Sequence, residues 1–313
     1  MTVIGKRFIF VIILIFTAAL LLHTFPLAAG NGVDTPSGIS GGSASEIAAS
    51  ARLYGKNAGE ARLMTFNLLA DSESFGGSPV ESRAPLLGEL LNAYLPDAAA
   101  LQEMCPGWYS YIVNSLPGYG IINRPQTALT YKMTALIYNK NTLTPLVYGD
   151  TEFVSSDDIR TRRAVWAVFE IKATGERFAV LSTHLSLYGK TAPNGERHCF
   201  SQAAQLIALV KKTAAEKNCP VFILGDFNTK EKNSNQSARK ENTVFSILKS
   251  VFTDTASAAK LVAAGSEKSV FSGSNDHIFL YGSAQIKQYH LLSYKTLTEL
   301  SDHYPICADV CIG

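Results

Sequence analysis

The chain has 313 residues, 47% of them hydrophobic and 17% charged, with a formal net charge of +2. That balance excludes a disordered polyelectrolyte and allows one large domain or two average ones around a substantial core. Without residues 1–29 the count is 26 basic against 26 acidic residues, so the sum gives no general electrostatic attraction to nucleic acid.

Lys6 and Arg7 precede an uncharged apolar stretch from Phe8 to Leu22, followed by Pro26-Leu27-Ala28-Ala29-Gly30. This is the layout of a secretory signal ending at Ala29, with an uncleaved anchor through residues 8–22 as the alternative. Either way the body is expected outside the cytoplasm, secreted or membrane-attached. Residues 30–59 are rich in Gly, Ser and Ala and read as a flexible linker, which leaves 60–313 as the folded domain.

The domain opens with a strand over Ala61–Asn67 and a helix over Glu81–Tyr94, where Leu86, Leu87, Leu90 and Leu91 have helical spacing and Pro96 marks the stop. Ala98–Glu103 is a short buried strand ending on a carboxylate. Strands follow over Ala135–Asn139, Leu143–Phe153, Ala164–Ile171 and Phe178–His184, with a turn at Ala173–Glu176. A helix over Gln202–Lys217 leads into the apolar run Pro220–Leu224, which stops at Gly225-Asp226-Phe227-Asn228. Strand alternation predicts that Asp226 and Asn228 share a face and Phe227 points away. The Lys- and Asn-rich stretch 230–242 reads as a solvated loop, Thr243–Val251 as a helix, and Asp276–Leu280, Gln285–Leu292 and Tyr304–Cys311 as closing strands.

The five cysteines, Cys105, Cys199, Cys219, Cys307 and Cys311, are odd in number and match no zinc spacing. Cys307 and Cys311 on one strand lie too far apart to bridge. A Cys199 to Cys219 bridge stays open.

Polar residues at strand ends form the main functional signal: Asn67, Glu103, His184, Asp226, Asn228, Asp276, Asp302 and His303. Each alone suits a turn. Together, flanked by apolar strands, they imply a shared cation, because buried carboxylates are costly without one. Oxygen donors without cysteine favour Mg²⁺ or Mn²⁺ over Zn²⁺.

The order of these motifs, Thr-Phe-Asn67, Leu-Gln-Glu103, Ser-Thr-His184-Leu, Gly-Asp226-Phe-Asn228, Asp276 before an apolar strand, and Ser-Asp302-His303-Tyr-Pro, resembles the endonuclease/exonuclease/phosphatase superfamily, related to deoxyribonuclease I. The resemblance runs from Ala61 to Val310. It implies a four-layer α-β-β-α sandwich, two mixed sheets packed face to face with outer helices. It further implies that Glu103 binds the cation with Asn67 and Asp302, and that His303 deprotonates the attacking water while Asp276 fixes its tautomer. Asp226 and Asn228 would orient the nucleophile, and His184 would donate to phosphoryl oxygens. Tyr138 is similar to a family tyrosine near the phosphate, and Arg162 or Arg163 to a phosphate-contacting arginine. Some nucleases of the family carry an acidic residue two places after the first Asn, where this chain has Leu69. The run Asn-Leu-Leu-Ala-Asp is closer to the deadenylase and lipase-like branches.

The expected activity is hydrolysis of a phosphate ester by a monomer, the substrate being nucleic acid, a phospholipid headgroup or a sugar phosphate. The two tryptophans, Trp108 in a helix and Trp166 in a core strand, do not form the exposed aromatic hairpin a lipase needs. The dense basic stretches, 160–163 and 230–240, keep a nuclease open. The alternative is a non-catalytic extracellular binding protein that retains the fold. His23, His198, His277 and His290 read as structural.

Overall fold

A computed structural model describes residues 43–70, 78–122, 133–155, 162–229, 243–263 and 275–313. The export segment, residues 30–42, Arg160 and the loop 230–242 lie outside the described residues.

The chain begins with helix α1 (Ser43–Leu53), strand β1 (Ala61–Asn67), helix α2 (Val80–Tyr94), strand β2 (Ala98–Met104) and helix α3 (Pro106–Ser115). Strands β3 (Tyr119–Ile122), β4 (Met133–Asn139), β5 (Leu143–Glu152), β6 (Arg163–Ile171) and β7 (Arg177–His184) follow, then helix α4 (His198–Lys217) and β8 (Val221–Asp226). Short elements α5 (Val244–Lys249), β9 (Thr253–Asp254), α6 (Thr255–Ala258) and β10 (Leu261–Val262) precede β11 (Asp276–Tyr281), β12 (Gln285–Leu291) and β13 (Ile306–Cys311).

Two mixed sheets result, one of 7 strands in the order β10-β12-β13-β1-β2-β4-β3 and one of 6 in the order β5-β6-β7-β8-β11-β9. Alternation along the strands builds three apolar layers. Leu63, Ala98, Ala100 and Leu136 of the first sheet meet Val165, Phe222, Leu224 and Ile278 of the second. The opposite faces take helices: Met64, Phe66, Ala99 and Leu101 pack under α1, α2 and α3. Leu181, Val221 and Ile223 pack under α4 and α5. This is the expected four-layer sandwich.

The tether expected over 30–59 is corrected from Ser43 onward. Ser-Ala-Ser-Glu-Ile-Ala-Ala-Ser-Ala-Arg-Leu forms a helix that buries Ile47 and Ala51 in the core it shares with α2. Small residues that look linker-like in composition are also compatible with a helix lying close on a neighbour. Polar bonds fix it further: the Tyr94 hydroxyl donates to Ser50 at 3.0 Å, and Thr296 donates to Glu46 at 2.8 Å.

All five cysteines are free. Trp108 is fully buried in α3, and Trp166 is half-buried on β6. Among the described residues no helix is long and apolar enough to cross a membrane.

Candidate active site

Parallel pairing sets Asn67 beside Gln102 at the ends of β1 and β2, and His184 beside Asp226 at the ends of β7 and β8. Antiparallel pairing sets Asp276, the first residue of β11, opposite Asp226. The strand ends of both sheets therefore open on one rim. The approach of β7 to β8 is tight: a Cβ at Gly225 would lie 2.1 Å from the Thr183 carbonyl oxygen, so glycine is required next to Asp226.

At this rim the Asp226 carboxylate is the hub. Its Oδ2 accepts from the Asn67 amide at 3.1 Å and lies 3.3 Å from His184 Nε2 and 3.9 Å from His303 Nε2. Its Oδ1 accepts the Asn228 backbone N–H at 2.9 Å. His303 comes from the loop before β13 and places Nδ1 2.6 Å from Asp276 Oδ2. A histidine held this way presents Nε2 toward Asp226, the arrangement of an oriented general base.

Charge in the site is unbalanced. Burial, then Asp276 across the ladder, raises the Asp226 carboxyl to about 7, although His303, the Asn228 amide and Asn67 pull the other way. Burial opposes the His303 imidazolium, but Asp276, with Asp226 and Asp302, outweighs it and raises His303 to about 10.

Glu103 sits at an irregularity in the β2–β4 pairing and adopts φ 56°. The bulge breaks alternation and turns its carboxylate to accept the Ala70 N–H at 3.2 Å. Leu69 and Asn228 also have positive φ, 55° and 48°. Three non-glycine residues in a sparsely populated conformation thus border the rim, as is common at functional sites.

The donor atoms of Asp226, Asp276 and His303 all lie within 4.8 Å of one another. With His303 Nδ1 engaged by Asp276, a cation there would take Nε2 and leave no base. Glu103 instead lies one residue from the end of β2, beside the strand that Asn67 ends, and the exposed Asp302 follows Ser301, whose hydroxyl donates to the Asn67 carbonyl at 2.6 Å. These donors are hard oxygens without thiolate, which fits a divalent cation.

Other expectations fare differently. Asn228 does not follow strand alternation with Asp226: β8 ends at Asp226, and the Asn228 side-chain amide turns to donate to the Leu185 carbonyl at 2.8 Å. Tyr138 is not at the rim. Its register partner is Ala98, at the start of β2, about 16 Å of strand from Glu103. Its ring packs on Phe169 and over Gly120 instead. Of the two arginines, buried Arg162 donates to the His184 carbonyl at 3.5 Å, whereas Arg163 pairs with Asp150 and Glu152 of β5. His277 points away as expected, among Phe227, Phe245 and Phe279.

Sequence reasoning missed Arg83, a buried charge on α2 that bonds the segment following Asn67. Its signal was present: Arg83, Leu87, Leu90 and Tyr94 share the buried helical stripe.

The profile of the Endonuclease/Exonuclease/phosphatase family matches residues 64–303. Among solved structures, an endonuclease/exonuclease/phosphatase family protein from Bacteroides thetaiotaomicron superposes with a TM-score of 0.66 at 20% identity, covering 81% of this chain and 98% of that one. A mannosyl-6-phosphatase from Bacteroides thetaiotaomicron gives 0.64 at 20% identity, covering 80% and 99%. TDP2 of D. rerio, complexed with a single-strand DNA product, gives 0.57 at 18%, covering 80% and 98%. No curated protein matches the chain by sequence.

Proposed function

Because the chain belongs to the endonuclease/exonuclease/phosphatase family, we propose that it is a divalent-metal-dependent phosphoric ester hydrolase in which His303 activates the attacking water. The observation that carries this reading is the His303–Asp276 contact of 2.6 Å, which leaves Nε2 facing Asp226 at 3.9 Å.

In this reading His303, held at about 10 by the surrounding carboxylates only while no cation offsets their charge, is neutral in the loaded site. Its Nε2 takes the water's proton, and the resulting imidazolium is stabilised by Asp276 on Nδ1. Asp226 orients the water, and Asn228 holds the turn behind it against Leu185. His184 and Arg162 supply donors to the phosphoryl oxygens as charge grows. Glu103, helped by Asn67 and Asp302, would hold Mg²⁺ or Mn²⁺, which when bound polarises the phosphoryl group and offsets its negative charge.

Nucleic acid, a phospholipid headgroup and a sugar phosphate all carry the ester this chemistry needs. Structures of this fold include a mannosyl-6-phosphatase and TDP2 with a DNA product. Export belongs to the same proposal, supported by Lys6 and Arg7 ahead of the uncharged stretch 8–22 as cleaved signal or retained anchor.

The test is hydrolysis of bis-p-nitrophenyl phosphate by the purified chain with Mg²⁺ or Mn²⁺. Turnover should vanish on chelation and in His303→Ala and Glu103→Ala. Turnover that survives in either variant overturns the assignment. A panel of DNA, RNA, sphingomyelin and inositol phosphates then selects the substrate class.

A further inference from the structure

The rim is assembled from separate chain segments, and one side chain ties two of them together. Arg83, 3% exposed on α2, donates Nη1 to the carbonyls of Leu68 at 2.8 Å and Leu300 at 2.7 Å. Its Nη2 donates to Leu69 at 2.9 Å, and its Nε to Ser78 at 2.7 Å. The guanidinium lies over the Trp108 ring with Cζ 4.9 Å from the centroid, and the Trp108 indole N–H donates to the same Leu69 carbonyl at 3.1 Å.

Leu68 and Leu69 follow Asn67, and Leu300 precedes the segment that carries Asp302 and His303. The two segments meet again where Ser301 donates to the Asn67 carbonyl and accepts the His303 N–H at 3.2 Å. Within the first segment, Leu69 N–H donates to Asn67 Oδ1 at 3.1 Å and Ala70 N–H donates to Glu103 Oε2 at 3.2 Å. The orientation of the Asn67 and Glu103 side chains therefore depends on the backbone at residues 68–70, and that backbone is held by Arg83.

We propose that Arg83 is a positioning residue: its planar fork sets the spacing between the Asn67/Glu103 half of the site and the Asp302/His303 half. Lysine has a comparable charge but a single donor head, and it cannot span carbonyls of both segments in one fixed plane. Misplacement of reacting groups by about 1 Å costs on the order of 10²-fold in rate.

The inference rests on the phosphoesterase reading, and its test separates the two. Arg83→Lys is compared with Arg62→Lys. Arg62 is an equally buried arginine near the start of β1, bonded through its fork to Asp309 at 2.7 Å, about 16 Å of strand from Asn67. Both variants should lose stability. Only Arg83→Lys should lower kcat, by about 10²-fold with KM within about threefold, as expected for a loss confined to the transition state.

Hydrogen exchange supplies a readout that needs neither substrate nor cation. The Leu69 and Ala70 amides, bonded to Asn67 and Glu103, should exchange faster in Arg83→Lys than in Arg62→Lys at matched stability. Should Arg83→Lys not fold, Trp108→Phe removes the indole bond to Leu69 and should move exchange and kcat in the same direction by a smaller factor. Equal kcat and equal exchange in the Arg83 and Arg62 variants would overturn the inference. A wild-type chain without hydrolytic activity sinks the phosphoesterase reading instead, while the exchange result still decides whether Arg83 holds the segment.

Discussion

The Asn67 amide of one sheet donates to the Asp226 carboxylate of the other at 3.1 Å, so one hydrogen bond joins the two halves of the sandwich at the rim. That bond lowers the Asp226 carboxyl against the combined rise from burial and Asp276. In Asn67→Ala the metal-free Asp226 should titrate above its value of about 7, and kcat should fall about 10²-fold, the scale expected when a group of the site is displaced by about 1 Å. Carboxyl NMR titration checks the first point. An unmoved titration would mean that the bond does not form in solution.

The metal-free protein should lose stability as pH rises. His303 titrates at about 10 when folded against 6.5 unfolded, so its contribution is full below 6.5 and gone above 10. Asp226, at about 7 against 3.8, keeps a proton that the unfolded chain has released, and its contribution is lost between those values. The melting temperature in EDTA should therefore fall from pH 6.5 to 10, and Asp276→Asn should flatten that decline. A melting temperature that climbs across this range contradicts the site's electrostatics.

His290 works in the opposite direction on the acid side. Burial, then Arg62, lowers it to about 4 from 6.5. Between those values the unfolded chain binds a proton that the folded one refuses, so stability falls as pH drops, by up to about 3 kcal/mol. Its Nε2 shares a hydrogen bond with the Tyr294 hydroxyl at 2.8 Å. His290→Gln should reduce stability at neutral pH yet show a flatter acid limb in urea titrations at pH 4 to 6.5.

Helix α1 should behave as part of the domain. Ile47 is 1% exposed between α1 and the body, and Ile47→Ala should cost about 2–5 kcal/mol, read from chemical unfolding at constant m-value. Removal of residues 1–59 should lower stability at least as much. A truncated chain as stable as the parent would return this segment to the status of a linker.

How much was legible in the sequence follows from how local each signal is. Alternating runs such as Leu63-Met64-Thr65-Phe66 specify both a strand and its two faces, so the principal strands were readable, while the sandwich was readable only through the family that the order of the motifs resembles. Asn67, Glu103, His184, Asp226 and Asp276 were readable as strand ends for the same reason. Tyr138 failed because its motif is local while its position depends on β4 pairing with β2 in one register. Asn228 failed because alternation was carried one step past the end of β8. Helix α1 was hidden because its apolar stripe consists largely of alanine. Arg83 was legible as a member of the buried stripe of α2, but its partners were not, because they are backbone carbonyls, which no side-chain pattern reveals.

Glu103 carries two incompatible demands. Its carboxylate is the group proposed to face the cation, while its φ of 56° belongs to a conformation that glycine or asparagine adopts with far less penalty. A substitution that satisfies the backbone must therefore forfeit the acid. Glu103→Gly should melt at a higher temperature than the parent in EDTA while being inactive, so selection for stability alone would erode this position.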